Sequence, residues 1–100
     1  MLHTVNKSPF EKSTLKSCLA HARDGDAVLL IEDAVYGAMK GTDAAGEIWP
    51  RKGRFAFFVL GPDLAARGLD PARLIDGFTV IDYEGFVDLV VEHDTTQSWL

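Results

Sequence analysis

Apolar residues cluster at strand length in four places along the chain, and between them they recur at helical spacing. Residues 2–5 alternate apolar and polar and read as a short first strand. Residues 27–31 (Ala-Val-Leu-Leu-Ile) and 55–60 (Phe-Ala-Phe-Phe-Val-Leu) are continuous apolar runs, the pattern of strands covered on both faces of a parallel sheet. Residues 78–81 read as a fourth strand. After the first strand, Ser8-Pro9-Phe10-Glu11 has the form of a capping box with proline at the first helical position. Leu15, Cys18, Leu19 and Ala22 then form one apolar stripe, and Asp24-Gly25-Asp26 ends that helix. A short helix is predicted over 34–40 with Gly41 as its C-cap, followed by an irregular stretch over 42–54. A helix over 64–67 is opened by Gly61-Pro62-Asp63 and closed by Gly68, and a turn at Asp70-Pro71 carries Leu74 and Ile75. Asp82 caps a last helix that presents Phe86, Leu89, Val90 and His93 on one face. Residues 94–100 read as a tail tipped by Trp99 and Leu100.

Strand and helix thus alternate, which predicts a small α/β domain: a mainly parallel sheet of four to five strands, right-handed crossovers and helices on both faces. The 100 residues fit one domain, residues 1–100. A chain this short buries a thin core, so partner dependence is expected. In open sheets of this kind sites form at the C-terminal ends of strands. Here those ends are Asn6-Lys7-Ser8, Glu32-Asp33, Gly61-Pro62-Asp63 and Asp82-Tyr83, richer in acid than in base.

Charge narrows the function classes. Ten Lys and Arg against fifteen Asp and Glu give a net charge of −5, which argues against a surface that grips nucleic acid. The basic run Arg51, Lys52, Arg54 reads as a solvated loop. No apolar run approaches the ~18 residues that span a bilayer, no signal peptide is seen at the N-terminus, and a single cysteine excludes an internal disulfide. A cytoplasmic location is expected. No phosphate-cradling glycine loop follows any strand and no histidines pair at metal-ligand spacing, so neither cofactor nor metal is expected. His3, His21 and His93 read as structural residues. Ser8 reads as a helix cap rather than a nucleophile. Glu32 and Asp33 point apart as neighbours, and Asp33 is a natural cap for the following helix. Trp49, Phe57, Phe58 and Trp99 are a large apolar load, either packed inside or partly exposed for association.

Cys18 is the one residue able to carry sulfur chemistry. A reactive thiol needs access and a lowered pKa, whereas the stripe shared with Leu15 and Leu19 predicts burial and a raised one. An inert core cysteine and a sulfur carrier both stay open on the residues alone.

Four segments in order resemble one known family. Met1-Leu2-His3-Thr4-Val5-Asn6-Lys7-Ser8-Pro9-Phe10 looks like the opening of DsrH/TusB proteins, and Leu29-Leu30-Ile31-Glu32-Asp33-Ala34-Val35 resembles their second strand and acidic turn. Residues 59–68 resemble their Leu-x-x-Asp-Leu-x-Ala-Arg-Gly segment, residues 80–89 their Asp-Tyr-x-x-Phe-Val segment, and Trp99 stands near the end as theirs does. The resemblance implies a small flavodoxin-like α/β subunit of a cytoplasmic sulfur-relay heterohexamer, DsrEFH-like or TusBCD-like. The implied partners are DsrE/TusD-like and DsrF/TusC-like subunits, with a DsrC/TusE-like protein as sulfur acceptor; charge and hydropathy, as read above, argue against direct contact with nucleic acid or membrane. Such complexes pass persulfide sulfur either in intracellular sulfur oxidation or toward the 2-thiouridine of wobble-position tRNA. The long opening, the ending and a cysteine in the first helix look more like the DsrH branch. The resemblance also makes Cys18 a candidate sulfur carrier, although the family's main sulfur-bearing cysteine belongs to the DsrE/TusD subunit. The alternatives are a stand-alone sulfurtransferase acting through Cys18 and a ligand-binding α/β module without redox chemistry.

Overall fold

The structure is a computed structural model that describes residues 1–100. Five strands form one all-parallel sheet: β1 (Leu2–Val5), β2 (Ala27–Leu30), β3 (Ala56–Leu60), β4 (Phe78–Ile81) and β5 (Thr96–Trp99), in the order β4-β3-β2-β1-β5. Four α-helices accompany them: α1 (Thr14–His21), α2 (Asp43–Ile48), α3 (Gly61–Ala66) and α4 (Tyr83–Glu92). Three short 3-10 turns complete the connections, at Glu32–Ala38, Trp49–Arg51 and Pro71–Arg73.

The strand order decides how the core is divided. From β1 to β4 the chain steps across the sheet in one direction, so right-handed crossovers place every connection on one face. Only the β4-to-β5 connection returns, and it crosses the other face. Burial follows this division. On the first face nineteen buried residues form one cluster, with Val5, Val28, Leu30, Phe57 and Val59 from the strands and Leu15, Cys18, Leu19, Ala34, Val35, Ala44, Ile48 and Leu64 among those from the connections. On the second face only four buried residues cluster, Leu2, Ala27, Leu29 and Leu89, the last from α4.

Several expectations are met at the level of single residues. Asp82 caps α4, its Oδ1 accepting from the Gly85 N–H at 2.8 Å. β2 is buried on both faces, as its continuous apolar run predicts, and so is the C-terminal end of β3 at Val59 and Leu60, while Phe58 is half-buried and Ala56 exposed. Other expectations are corrected. Ser8 caps no helix: its Oγ accepts from the Phe10 N–H at 3.2 Å in a local turn, and α1 begins at Thr14. The segment over 34–40 is a 3-10 turn spanning Glu32–Ala38, and no side chain caps it, Asp33 included. The stretch read as irregular holds α2, which buries Ala44 and Ile48 one turn apart. The tail holds β5, an edge strand parallel to β1.

Two glycines show how tightly α4 and how loosely α2 are packed. A Cβ on Gly85 would lie 2.9 Å from the Cβ of Ile81, whereas one on Gly46 would meet nothing within 4 Å. Overpacking costs about 1–3 kcal/mol and exceeds the roughly 1 kcal/mol that alanine gains over glycine in a helix. Gly85→Ala should therefore lower the unfolding midpoint, while Gly46→Ala should raise stability by about 0.5–1 kcal/mol. Urea or thermal melts of the two variants check the opposite signs.

Candidate functional site

Candidate chemistry lies along α1 and the seam between β1 and β5. The α1 stripe faces the sheet and buries Leu15, Cys18 and Leu19. Cys18 is fully buried. Burial first, and the nearby negative charge of Asp26 second, push its thiol up to about 12. In this conformation the thiol is neither accessible nor ionised, the two properties a nucleophilic cysteine requires.

Next to this helix, His3 stands on β1 and is almost wholly buried. The Trp99 indole N–H donates to His3 Nδ1 at 3.1 Å. An indole nitrogen can only donate, so Nδ1 is the acceptor and the ring proton sits on Nε2. That N–H donates to Asp26 Oδ2 at 2.8 Å. Asp26 also accepts from the Arg23 backbone N–H at 3.0 Å and from the N-terminal ammonium of Met1 at 3.1 Å. The turn that presents Asp26 depends on Gly25, whose φ of +89° suits only glycine. Burial is the largest single influence on Asp26 and acts upward. The donors from Arg23, His3 and Met1, with the charge of Met1, together outweigh it and hold the carboxyl at about 2.

This network forms one wall of a surface cavity of about 590 Å³ lined by Met1, His3, His21, Arg23, Asp26, Gln97 and Trp99. Cys18 does not line it. His21, at the end of α1, donates from Nδ1 to the Ser17 carbonyl at 2.9 Å and packs against Trp99 at a ring separation of 5.4 Å.

The other residues singled out in the sequence are dispersed. Asp33 is taken up by Arg67 at 2.9 Å, and Asp63 accepts from the Glu32 backbone N–H at 2.6 Å. Glu32 itself has a φ of +51°, a left-handed conformation at the C-terminal end of β2. Arg51 pairs with Glu47, Arg54 pairs with Asp24, and Lys52 lies over the Trp49 ring, so the basic run makes three separate contacts. Phe57 is buried, Phe58 and Trp99 are half-buried and Trp49 is exposed. His93 ends α4, and no group of three His, Cys, Asp or Glu side chains is placed to hold a metal ion. The role of Asp26 was missed in the sequence, where it read only as a helix terminator. So was the indole of Trp99, which lies 96 positions from the imidazole it contacts.

Known proteins resemble this chain over nearly its whole length. A family profile described as DsrH like protein matches residues 7–96. The protein TusB of Pectobacterium parmentieri is 34% identical over 99 residues, covering 99% of this chain and 100% of that protein. The protein TusB of Escherichia coli O1:K1 is 33% identical with the same coverage. Among solved structures, the ychN protein of E. coli superposes with a TM-score of 0.84 at 15% identity, covering 98% of this chain and 97% of its own. A protein of unknown function from Methanobacterium thermoautotrophicum superposes at 0.72 with 16% identity, covering 97% and 95%. These two likenesses establish the α/β fold.

The geometry sets two expectations. Cys18 should resist a thiol reagent such as dithionitrobenzoate in the native protein at pH 7 and react fully once the chain is unfolded in guanidinium; rapid native labelling would contradict a sealed thiol. Asp26 stabilises the fold as a carboxylate. Because its folded pKa lies below the unfolded value, its contribution is complete above about pH 4 and is lost as pH falls through about 2. The stability difference between wild type and Asp26→Asn should be about 1 kcal/mol at neutral pH, allowing for solvent screening, and should shrink across that window in acid denaturation curves.

Proposed function

The chain belongs to the DsrH-like family, and from that premise we propose that it is a subunit of a cytoplasmic sulfur-relay complex that supports persulfide transfer on its partners' cysteines. The partners are DsrE/TusD-like and DsrF/TusC-like subunits in a heterohexamer, with a DsrC/TusE-like acceptor. The observation that carries this reading is the state of Cys18. Persulfide exchange needs a thiolate that attacks the outer sulfur of a persulfide, forming a new S–S bond and releasing the donor as a thiolate. The only thiol of this chain is buried and held protonated, so the exchanging thiolates come from the other subunits.

Full-length similarity to proteins named TusB favours delivery toward tRNA 2-thiouridine over sulfur oxidation. The net charge of −5 weighs against tRNA contact by this chain, which another subunit would then provide. In a second reading Cys18 is itself a carrier that a partner exposes by lifting α1. It is favoured by the shortness of that helix, eight residues, and by the absence of a side-chain cap bond at Ser13.

Co-expression with the two partner subunits, followed by intact-mass analysis after a persulfide donor, tests both readings. The expected result is a stable complex in which a partner chain gains one sulfur, about 32 Da, this chain gains none, and Cys18→Ser relays sulfur as well as wild type. A gain on this chain that Cys18→Ser abolishes would move the carrier role to Cys18. Failure to join the partners would overturn the proposal. Deletion of the gene should reduce 2-thiouridine in tRNA digests; unchanged 2-thiouridine with impaired sulfur oxidation would assign the other pathway.

A further inference from the structure

Helix α4 uses only part of its apolar surface to cover the sheet. Leu89 is buried and Phe86 half-buried against the second face. Tyr83, Val87, Val90 and Val91 are 61%, 60%, 42% and 79% exposed. At 100° per residue these four fall on one arc beside the buried one, so the apolar side of α4 spans about 200°, roughly twice the stripe that packing on a single layer needs. Single exposed apolar residues are ordinary, but four contiguous ones on a ten-residue helix form a patch. Glu84, Asp88 and Glu92 are exposed and follow as a row along the far edge of that patch, with no salt bridge to any of them within the chain. The sheet face beneath is open at its corners, where Ala56, Thr79, Thr96 and Ser98 are exposed.

We infer that this side of α4 is the docking surface for a protein partner whose apolar strip is flanked by a row of Lys or Arg. The unpaired acidic row argues for that occupant. A second copy of this chain, itself at −5, would bring a second acidic row to the contact when two α4 helices pack antiparallel. Like charges so placed oppose association, whereas a basic row would be drawn in and aligned. This inference rests on the subunit reading above and locates its contact.

The test is assembly with the co-expressed DsrE/TusD-like and DsrF/TusC-like subunits, followed by size exclusion and titration at low and high salt. Val87→Gln with Val91→Gln keeps helix propensity, since glutamine is the better helix former, and circular dichroism confirms the fold. The double variant should weaken assembly by roughly tenfold or more. Glu84→Gln with Asp88→Gln and Glu92→Gln should weaken it less and flatten its salt dependence. If wild type assembles and both variants match it, the α4 surface is overturned while the subunit reading stands. If wild type fails to assemble, the subunit reading falls and the surface with it. If wild type alone forms a dimer that the valine variant dissolves, the occupant is a second copy and the heterologous partner is overturned.

Discussion

A parallel strand must be reached by a crossover, crossovers are right-handed, and this chain lays β1 to β4 in one direction before returning once to β5. From that constraint the two faces of the sheet inherit unequal cover. Three connections close one face around nineteen buried residues, while one ten-residue helix closes the other around four. The thiol of Cys18 lies under the thick side and is sealed. The apolar flank of α4 lies on the thin side and is exposed. The single reversal leaves β1 and β5 side by side, and His3, Asp26 and Trp99 meet near that seam.

The seam needs more than backbone pairing. β5 is an edge strand of mainly polar, exposed residues and contributes little burial of its own apart from Trp99. A one-residue slip of such a strand would turn the indole to the opposite face and leave His3 Nδ1 without a donor in a buried site, where an unmet polar group is costly. The His3–Trp99 contact therefore fixes the register of β5 against β1. The His3–Asp26 contact links the same imidazole to the turn entering β2. Buried polar pairs add little net stability compared with an apolar replacement. Their value here is in specifying which strand lies where.

Legibility in the sequence follows the same physics. β2 and β3 were plain as continuous apolar runs: β2 is buried on both faces and β3 at its C-terminal end, where polar interruptions are costly. The burial of Cys18 was visible in its spacing from Leu15 and Leu19. The N-terminal cap of α4 was plain in Asp82. By contrast, α2 buries only Ala44 and Ile48 and contains Gly46, so its six residues carry almost no periodic signal. β5 was hidden because an open edge strand lacks the alternation that a half-buried strand shows. Ser8 misled because its hydroxyl has a local alternative: bonding the N–H two residues on competes with capping a helix. Nothing short-range connects His3 with Trp99.

The state of Cys18 bears on how such a subunit can serve sulfur transfer. A thiol pushed up to about 12 stays protonated at pH 7, and exchange rates follow the thiolate fraction and its access. A neighbouring carboxylate adds to the penalty, since Asp26 opposes a second negative charge close by. Asp26 is itself ionised at neutrality, its donors holding it at about 2, so its charge stays in place. The network that sets the register of β5 thus adds, through Asp26, to the burial that keeps the only thiol of the chain quiet. Under the proposed function, a component that stands beside reactive persulfides without competing for their sulfur needs that property, and the surface it offers is its contribution.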